Sequence, residues 1–159
     1  MPLKAKKTWA EKLADSKNLP RVIQLDSAAA KRWGGKTLAI PAPRDVDALM
    51  RTVPAGRVTT INELRAAIAR QHRVEAACPI TTGIFSWISA QAAEEAHAAG
   101  ATKITPYWRT LKTDGELNPK YPGGVAALKR KLAAEGHQFV QKGKRTLLRD
   151  FEQVLFTPR

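Results

Sequence analysis

Residues 53–68 read Val53-Pro54-Ala55-Gly56-Arg57-Val58-Thr59-Thr60-Ile61-Asn62-Glu63-Leu64-Arg65-Ala66-Ala67-Ile68, and they set the pattern for the rest of the chain. Pro54 and Gly56 stop a helix arriving from upstream. That helix is legible: Val46, Leu49, Met50 and Val53 fall at i, i+3, i+4 and i+7, one face of a 3.6-residue period. Thr60 with Glu63 three residues later has capping-box spacing, in which the threonine hydroxyl accepts from the N3 amide and the glutamate reaches back. Ile61, Leu64 and Ile68 then continue as an apolar helical stripe. Two helices separated by a proline–glycine turn are therefore expected.

Outward from there, Gln71–Pro79 reads as a linker, and Thr81 or Thr82 is expected to cap a further helix. Ile84, Phe85, Ile88 and Ala92 mark its buried face, with Gly100 past its end. Residues 104–111 read as extended, and Asp114-Gly115 as a turn. Gly123-Gly124 precedes a helix with face Val125, Leu128 and Leu132, closed by Gly136. Residues 138–140 and 146–148 flank Lys142-Gly143-Lys144 as a hairpin with a basic tip. Upstream, Trp9 and Leu13 suggest a short helix and residues 21–25 a strand. Gly34-Gly35-Lys36-Thr37 is similar to the tail of a phosphate-binding P-loop, but the glycine required five residues before Gly35 is Ala30; a turn is expected instead. The expected fold class is mostly α with short β, in a winged helix-turn-helix arrangement. Its expected parts are a basic arm over 1–40, a core over 41–137, and a basic hairpin and tail over 138–159.

Composition narrows the function. The 159 residues carry 27 Lys and Arg against 14 Asp and Glu, a net charge of +13. A charge this large on a chain this small favours a polyanionic partner, with nucleic acid first and anionic membrane second. DNA is the leading polyanion and RNA stays open beside it. The charge is uneven: between Cys78 and Thr102 there is no Lys or Arg, only Glu94 and Glu95. No apolar run approaches the roughly 18 residues of a membrane helix, and the basic N-terminus has no apolar stretch behind it, so no secretory signal is read there. A cytoplasmic monomer is expected. The single cysteine, Cys78, excludes an internal disulfide, and His72, His97 and His137 show no ligand spacing. No metal site and no cofactor are expected.

Several blocks occur in a telling order. Residues 53–60 resemble the "I-P-x-G-x-V-x-T" entry of the alkylguanine-DNA alkyltransferases. Pro106-Tyr107-Trp108-Arg109 stands where that family has "P-C-H-R", Tyr121-Pro122-Gly123-Gly124 is similar to "Y-x-G-G", and residues 132–137 to "L-x-x-E-G-H". Four blocks in family order span residues 41–137, so the core resembles an alkyltransferase DNA-binding domain. The resemblance implies a helix-turn-helix that enters the minor groove and a pocket for a flipped guanine. It also implies transfer of the alkyl group to a cysteine thiolate activated by histidine.

The nucleophile slot, however, holds Tyr107 and the histidine slot Trp108. A phenol of pKa about 10 with no base beside it is a poor methyl acceptor, and an indole cannot accept a proton. The chain thus resembles the non-catalytic alkyltransferase-like proteins, which bind alkylated DNA and mark it for other repair machinery. No catalytic residue is expected. The resemblance places the lesion pocket at Pro106, Tyr107, Trp108, Arg109, Tyr121 and Glu135. It places DNA contacts at Arg57, Thr59 and Thr60 in the entry block and at Thr81 and Thr82 in the recognition helix. Charge adds Lys142, Lys144 and Arg145 at the hairpin. Tyr107 and Trp108 either stack on an extruded base or fill the old pocket, and Arg109 either meets phosphate or holds the pocket loop. The partner implied is double-stranded DNA, with O6-alkylguanine as the candidate lesion and repair proteins downstream. Two departures oppose that reading: Ile61 replaces the family's nucleotide-rotating tyrosine, and Ile80 the arginine that fills the gap left by the flipped base. They favour an adaptor that kept the fold and lost lesion binding. A third reading is an enzyme using Cys78.

Overall fold

In the computed structural model, residues 5–159 are described. Six helices are joined to three small sheets, and no barrel is present among the described residues. Helix α1 (Trp9–Ala14) is closed by a reciprocal capping box between Thr8 and Glu11. Strand β1 (Arg21–Gln24) follows, then α2 (Ser27–Trp33) and β2 (Thr37–Ile40). Asp26 caps α2, and Gly34, with φ of 92°, ends it in the left-handed conformation that glycine adopts without strain. The glycine pair therefore terminates a helix.

Helix α3 (Pro43–Arg51) and α4 (Ile61–His72) are the two helices expected around Pro54-Ala55-Gly56. Between them lies β3 (Thr59–Thr60). The Thr60 hydroxyl accepts from the Glu63 amide at 3.3 Å, so Thr60 caps α4 as expected, but the return bond from the Glu63 side chain that would complete a capping box does not form. Val46, Leu49, Met50, Leu64 and Ile68 are all buried, each contributing on the order of 1.5–3 kcal/mol relative to exposure.

The linker after α4 differs from expectation. It contains β4 (Ala76–Ala77), which pairs in parallel with β2, and the Cys78 amide donates to the Ala39 carbonyl at 2.9 Å. The three-stranded sheet β1-β2-β4 thus joins the segment read as an appended arm to the turn before α5 (Pro79–Ala98). Boundaries drawn at residue 40 run through this sheet. Helix α5 begins earlier than a Thr81 or Thr82 cap requires. Cys78 is the N-cap and Pro79 takes the first helical position, where a missing N–H costs nothing. The Thr82 hydroxyl instead donates to the Cys78 carbonyl at 2.6 Å.

Helix α5 is the central element and packs on α1, α3 and α4. Ser86, Ser89, Ala92 and Ala93 are as buried as Phe85 and Ile88, so small residues let three helices approach it. Ser89 and Thr105 donate to Asp47 Oδ1 at 2.5 and 2.6 Å, and Arg51 Nε donates to Oδ2 at 2.8 Å. That satisfied carboxylate ties α3 to α5 and to the following loop.

Residues 104–111 are not extended throughout. Residues 107–109 form a 3-10 turn, with the Arg109 amide donating to the Pro106 carbonyl at 3.0 Å, and β5 is only Thr110–Leu111, parallel to β3. Gly115 makes the expected turn with φ of 86°. Helix α6 (Gly124–Ala134) buries Leu128 and Leu132. Strands β6 (Phe139–Lys142) and β7 (Arg145–Leu148) form the expected hairpin, with Lys142 opposite Arg145.

Candidate nucleic-acid interface

The fold brings together every residue expected around the pocket. Tyr107, on the 3-10 turn, is 1% exposed, and its hydroxyl donates to Glu94 Oε1 on α5 at 2.6 Å. Its ring meets Trp108 edge-on at 5.3 Å and Tyr121 at 5.9 Å. Contrary to the expectation of no base beside this phenol, the Glu94 carboxylate is in hydrogen-bond contact with it; burial and that hydrogen bond push the Tyr107 phenol well above the ordinary tyrosine range, so the proton stays on the phenol. Tyr121 is 2% exposed and donates to Ser86 Oγ at 3.1 Å; burial pushes its pKa up to about 12. Pro106 is buried beneath the turn. Both tyrosine side chains are therefore buried where the resemblance places a pocket.

Trp108 is half-buried, and its ring lies under the Lys131 ammonium at 4.7 Å and near the Arg109 guanidinium at 5.4 Å. Arg109 Nε donates to Glu135 Oε1 at 2.8 Å, and Nη1 donates to the Val53 carbonyl at 2.8 Å. This charge-assisted pair is largely shielded and clamps the 3-10 turn between the end of α3 and the end of α6. The carboxylate of Glu135 is thereby committed to Arg109, with a longer contact of 3.3 Å from the Trp108 indole N–H.

The expected DNA contacts do not form one surface. Thr59, Thr60 and Thr82 are 0%, 3% and 0% exposed, so their side chains are removed from any phosphate. Thr59 sits in β3, Thr60 caps α4, and Thr82 bonds within α5. The Thr81 hydroxyl is buried with no partner among the described residues. Arg57 is exposed, but Nε and Nη2 donate to the Val154 and Leu155 carbonyls at 3.0 and 2.6 Å, holding the C-terminal segment. Arg145 pairs with Glu116 at 2.8 Å and with Asp114. Lys142 and Lys144 are exposed and belong to no ion pair among the described residues.

The open space lies elsewhere. A cleft of about 710 Å³ runs from Ile61 past Gly83 and Ser86 to Lys112, Asn118 and Arg145. It shares Gly83, Lys112 and Asn118 with a groove of about 470 Å³ bounded by Ile80, Ile84, Trp87 and Lys120. Together they follow the N-terminal half of α5, on which Ile80 and Ile84 are 54% and 48% exposed. The Trp87 indole N–H donates to the Lys120 carbonyl at 3.2 Å and holds the far wall. Neither tyrosine lines these clefts. No motif or periodicity in the sequence marks Lys112, Lys120 or Ser86. The approach of Lys112 and Lys120 depends on how the loop 112–121 folds back on α5, and no local spacing encodes that. Cys78 is 7% exposed. No group of acidic, histidine or cysteine side chains suited to a metal occurs among the described residues, and none of the described helices is long and apolar enough to cross a membrane.

No family model matches this sequence, and no curated protein matches it. Solved structures do. The chain is similar to S. pombe Atl1 in complex with damaged DNA containing O6-carboxymethylguanine, with a TM-score of 0.50 and 16% identity over 73% of this chain and 94% of that one. It is also similar to S. pombe ATL in complex with DNA, with a TM-score of 0.52 and 17% identity over the same shares. The fold is thus the helix-turn-helix fold of alkyltransferase-like proteins with a C-terminal hairpin.

Proposed function

We propose that this chain is a non-enzymatic protein that binds duplex DNA through α4 and α5 and receives an alkylated guanine for other repair proteins to process. The observation that carries the reading is the continuous cleft along the N-terminal half of α5, the second helix of the helix-turn-helix. Lys112 and Lys120 rim it and Ile80 projects beside it. An apolar side chain at that place acts as a wedge between bases, and the space between Ile61 and Ser86 takes the extruded base. The net charge of +13 supports a phosphate partner. Alkyl transfer has no acceptor in this reading. Tyr107 is buried with its proton held toward Glu94, and Cys78 is buried at the base of α5.

Fluorescence anisotropy with plain and O6-methylguanine duplexes at two salt concentrations tests this. Tighter binding to the damaged duplex, weakening with salt, is expected, with no labelled methyl group on the protein afterwards. Stoichiometric labelling of any residue refutes the non-enzymatic reading, and equal affinity for both duplexes refutes lesion recognition. The exposed Ile80 and Ile84, on helix α5, which carries no Lys or Arg, favour a second reading as a protein-binding adaptor. Absence of duplex binding at low salt decides for that one.

A further inference from the structure

Helix α5 carries no Lys or Arg, so a duplex lying against it meets no cation from the helix itself. The fold brings lysines to it from two other segments. On one side stand Lys120 and Lys112, the latter 3.6 Å from Glu116, along the groove walled by Ile84 and Trp87. On the other stands α1. The Trp9 ring meets Trp87 edge-on at 4.8 Å and 83°. The Glu95 carboxylate on α5 accepts from the Trp9 and Ala10 amides at 3.0 and 3.1 Å. These contacts fix the short helix against α5 from its N-terminal end. A cleft of about 290 Å³ beside the two tryptophans is lined by Lys7, Lys12 and Lys17 together with Phe85, Trp87 and Ile88. Trp87 thus stands between two sets of lysines.

These lysines are not equivalent. Lys7 is paired with Asp15 at 3.1 Å. The Lys12 ammonium lies 4.1 Å from the Trp9 ring centre, an arrangement that leaves its charge available to an anion. Neither Lys12 nor Lys17 belongs to an ion pair among the described residues. The first forty residues carry nine of the 27 cations against three acids. About a quarter of this chain lies outside the part shared with the S. pombe structures.

We infer that α1 and the turn after it form a phosphate clamp for duplex DNA, in which Lys12 and Lys17 contact the backbone beside α5 and supply cations the helix lacks. The inference rests on the proposed duplex binding and adds to it a surface and two residues.

The test uses the full chain with Lys12→Gln and Lys17→Gln together, since glutamine keeps a stem to lie on Trp9. A variant with Lys31→Gln and Lys36→Gln carries the same loss of charge on and after α2. Binding of a plain duplex is followed by anisotropy between 50 and 200 mM salt, with melting temperatures measured on all three proteins. Each phosphate contact contributes about 0.9 to the slope of log K against log salt. Two lost contacts lower that slope by about 1.8, so wild type loses about 12-fold more affinity over this range than the Lys12/Lys17 variant. The expected result is that change, with the Lys31/Lys36 variant following wild type and all melting temperatures alike. Wild-type binding with an unchanged slope in the Lys12/Lys17 variant overturns the clamp and leaves duplex binding standing. So does an equal change in both variants, which assigns the effect to net charge. Wild type that fails to bind duplex at 50 mM overturns both readings.

Discussion

Replacing Trp108 by alanine separates a pocket residue from a packing residue. A fully buried aromatic truncated to alanine costs about 3–5 kcal/mol. Trp108 is only half-buried, with one ring edge on Tyr107 and one face under Lys131. Its indole contact with Glu135 is long, and Arg109 continues to satisfy that carboxylate, so no buried charge is left unpaired. About half of the full cost, roughly 2 kcal/mol, is expected on this burial. For a chain of 159 residues this lowers the melting temperature by about 4–8 °C. Calorimetry and duplex binding are to be measured on the same protein. Because Tyr107 is buried against Trp108 and Trp108 lines neither cleft along α5, its loss is expected to leave the ratio of affinities for damaged and plain duplex unchanged. A melting temperature within a degree of wild type, together with loss of that ratio, refutes the packing argument and places the extruded base on Trp108.

The chain has two tyrosines, and both are buried. Titration at 295 nm is therefore expected to show no phenolate step near pH 10 in the folded protein, with Tyr121 ionising at about 12. Since both groups hold their protons more tightly folded than unfolded, stability falls as pH rises above about 10; a step of one tyrosine near pH 10 before unfolding contradicts the burial. Gly115→Ala adds a methyl group at φ of 86°, directed into the Phe151 ring, and is expected to cost about 2–3 kcal/mol by denaturant unfolding. A loss under 0.5 kcal/mol would show that Phe151 moves aside freely. Burial lowers the His137 pKa below its ordinary 6.5, outweighing the opposing pull of Glu135. The unfolded chain then binds the extra proton first, so stability is complete above about pH 6.5 and declines as pH falls below it. His137→Gln should flatten that decline in a melting series from pH 7.5 to 5.5, and an unaltered series removes His137 as its source.

Local signals carried much of the architecture. The Thr60 cap, the stripe through Ile61, Leu64 and Ile68, the Gly115 turn and the β6-β7 hairpin each depend on neighbours within about four residues, and each forms where the sequence places it. The start of α5 was harder to read. Its middle is buried on several sides through Ser86, Ser89 and Ala93, which dilutes the one-sided apolar period, and proline at its first position resembles a break. Strand β4 is two alanines, poor strand formers on their own, and it exists only because β2 lies alongside. The pocket shows the same division. The order of the blocks brought Pro106, Tyr107, Trp108, Arg109, Tyr121 and Glu135 together, but whether two aromatic rings stack in a cavity or fill it depends on packing. The burial of Thr59, Thr60 and Thr82 follows from strand pairing, capping and helix contacts that residue type alone does not reveal.

The pairing of β4 with β2 also governs which changes in length the chain can absorb. A connection between two helices of such a motif ordinarily tolerates an added or deleted residue. Here Ala76 and Ala77 face Leu38 and Ala39 in fixed register, and the next amide, Cys78, continues the ladder into the cap of α5. One residue inserted between Val74 and Ala76 would turn each of these side chains to the opposite face of the sheet, or rotate α5 by about 100° about its axis if the sheet held and the helix absorbed the slip. Either outcome would carry Ile80 and Ile84 away from the groove. Insertions in this turn should therefore be as damaging as those within a helix, whereas the exposed tip at Gly143 and Lys144 should accept them.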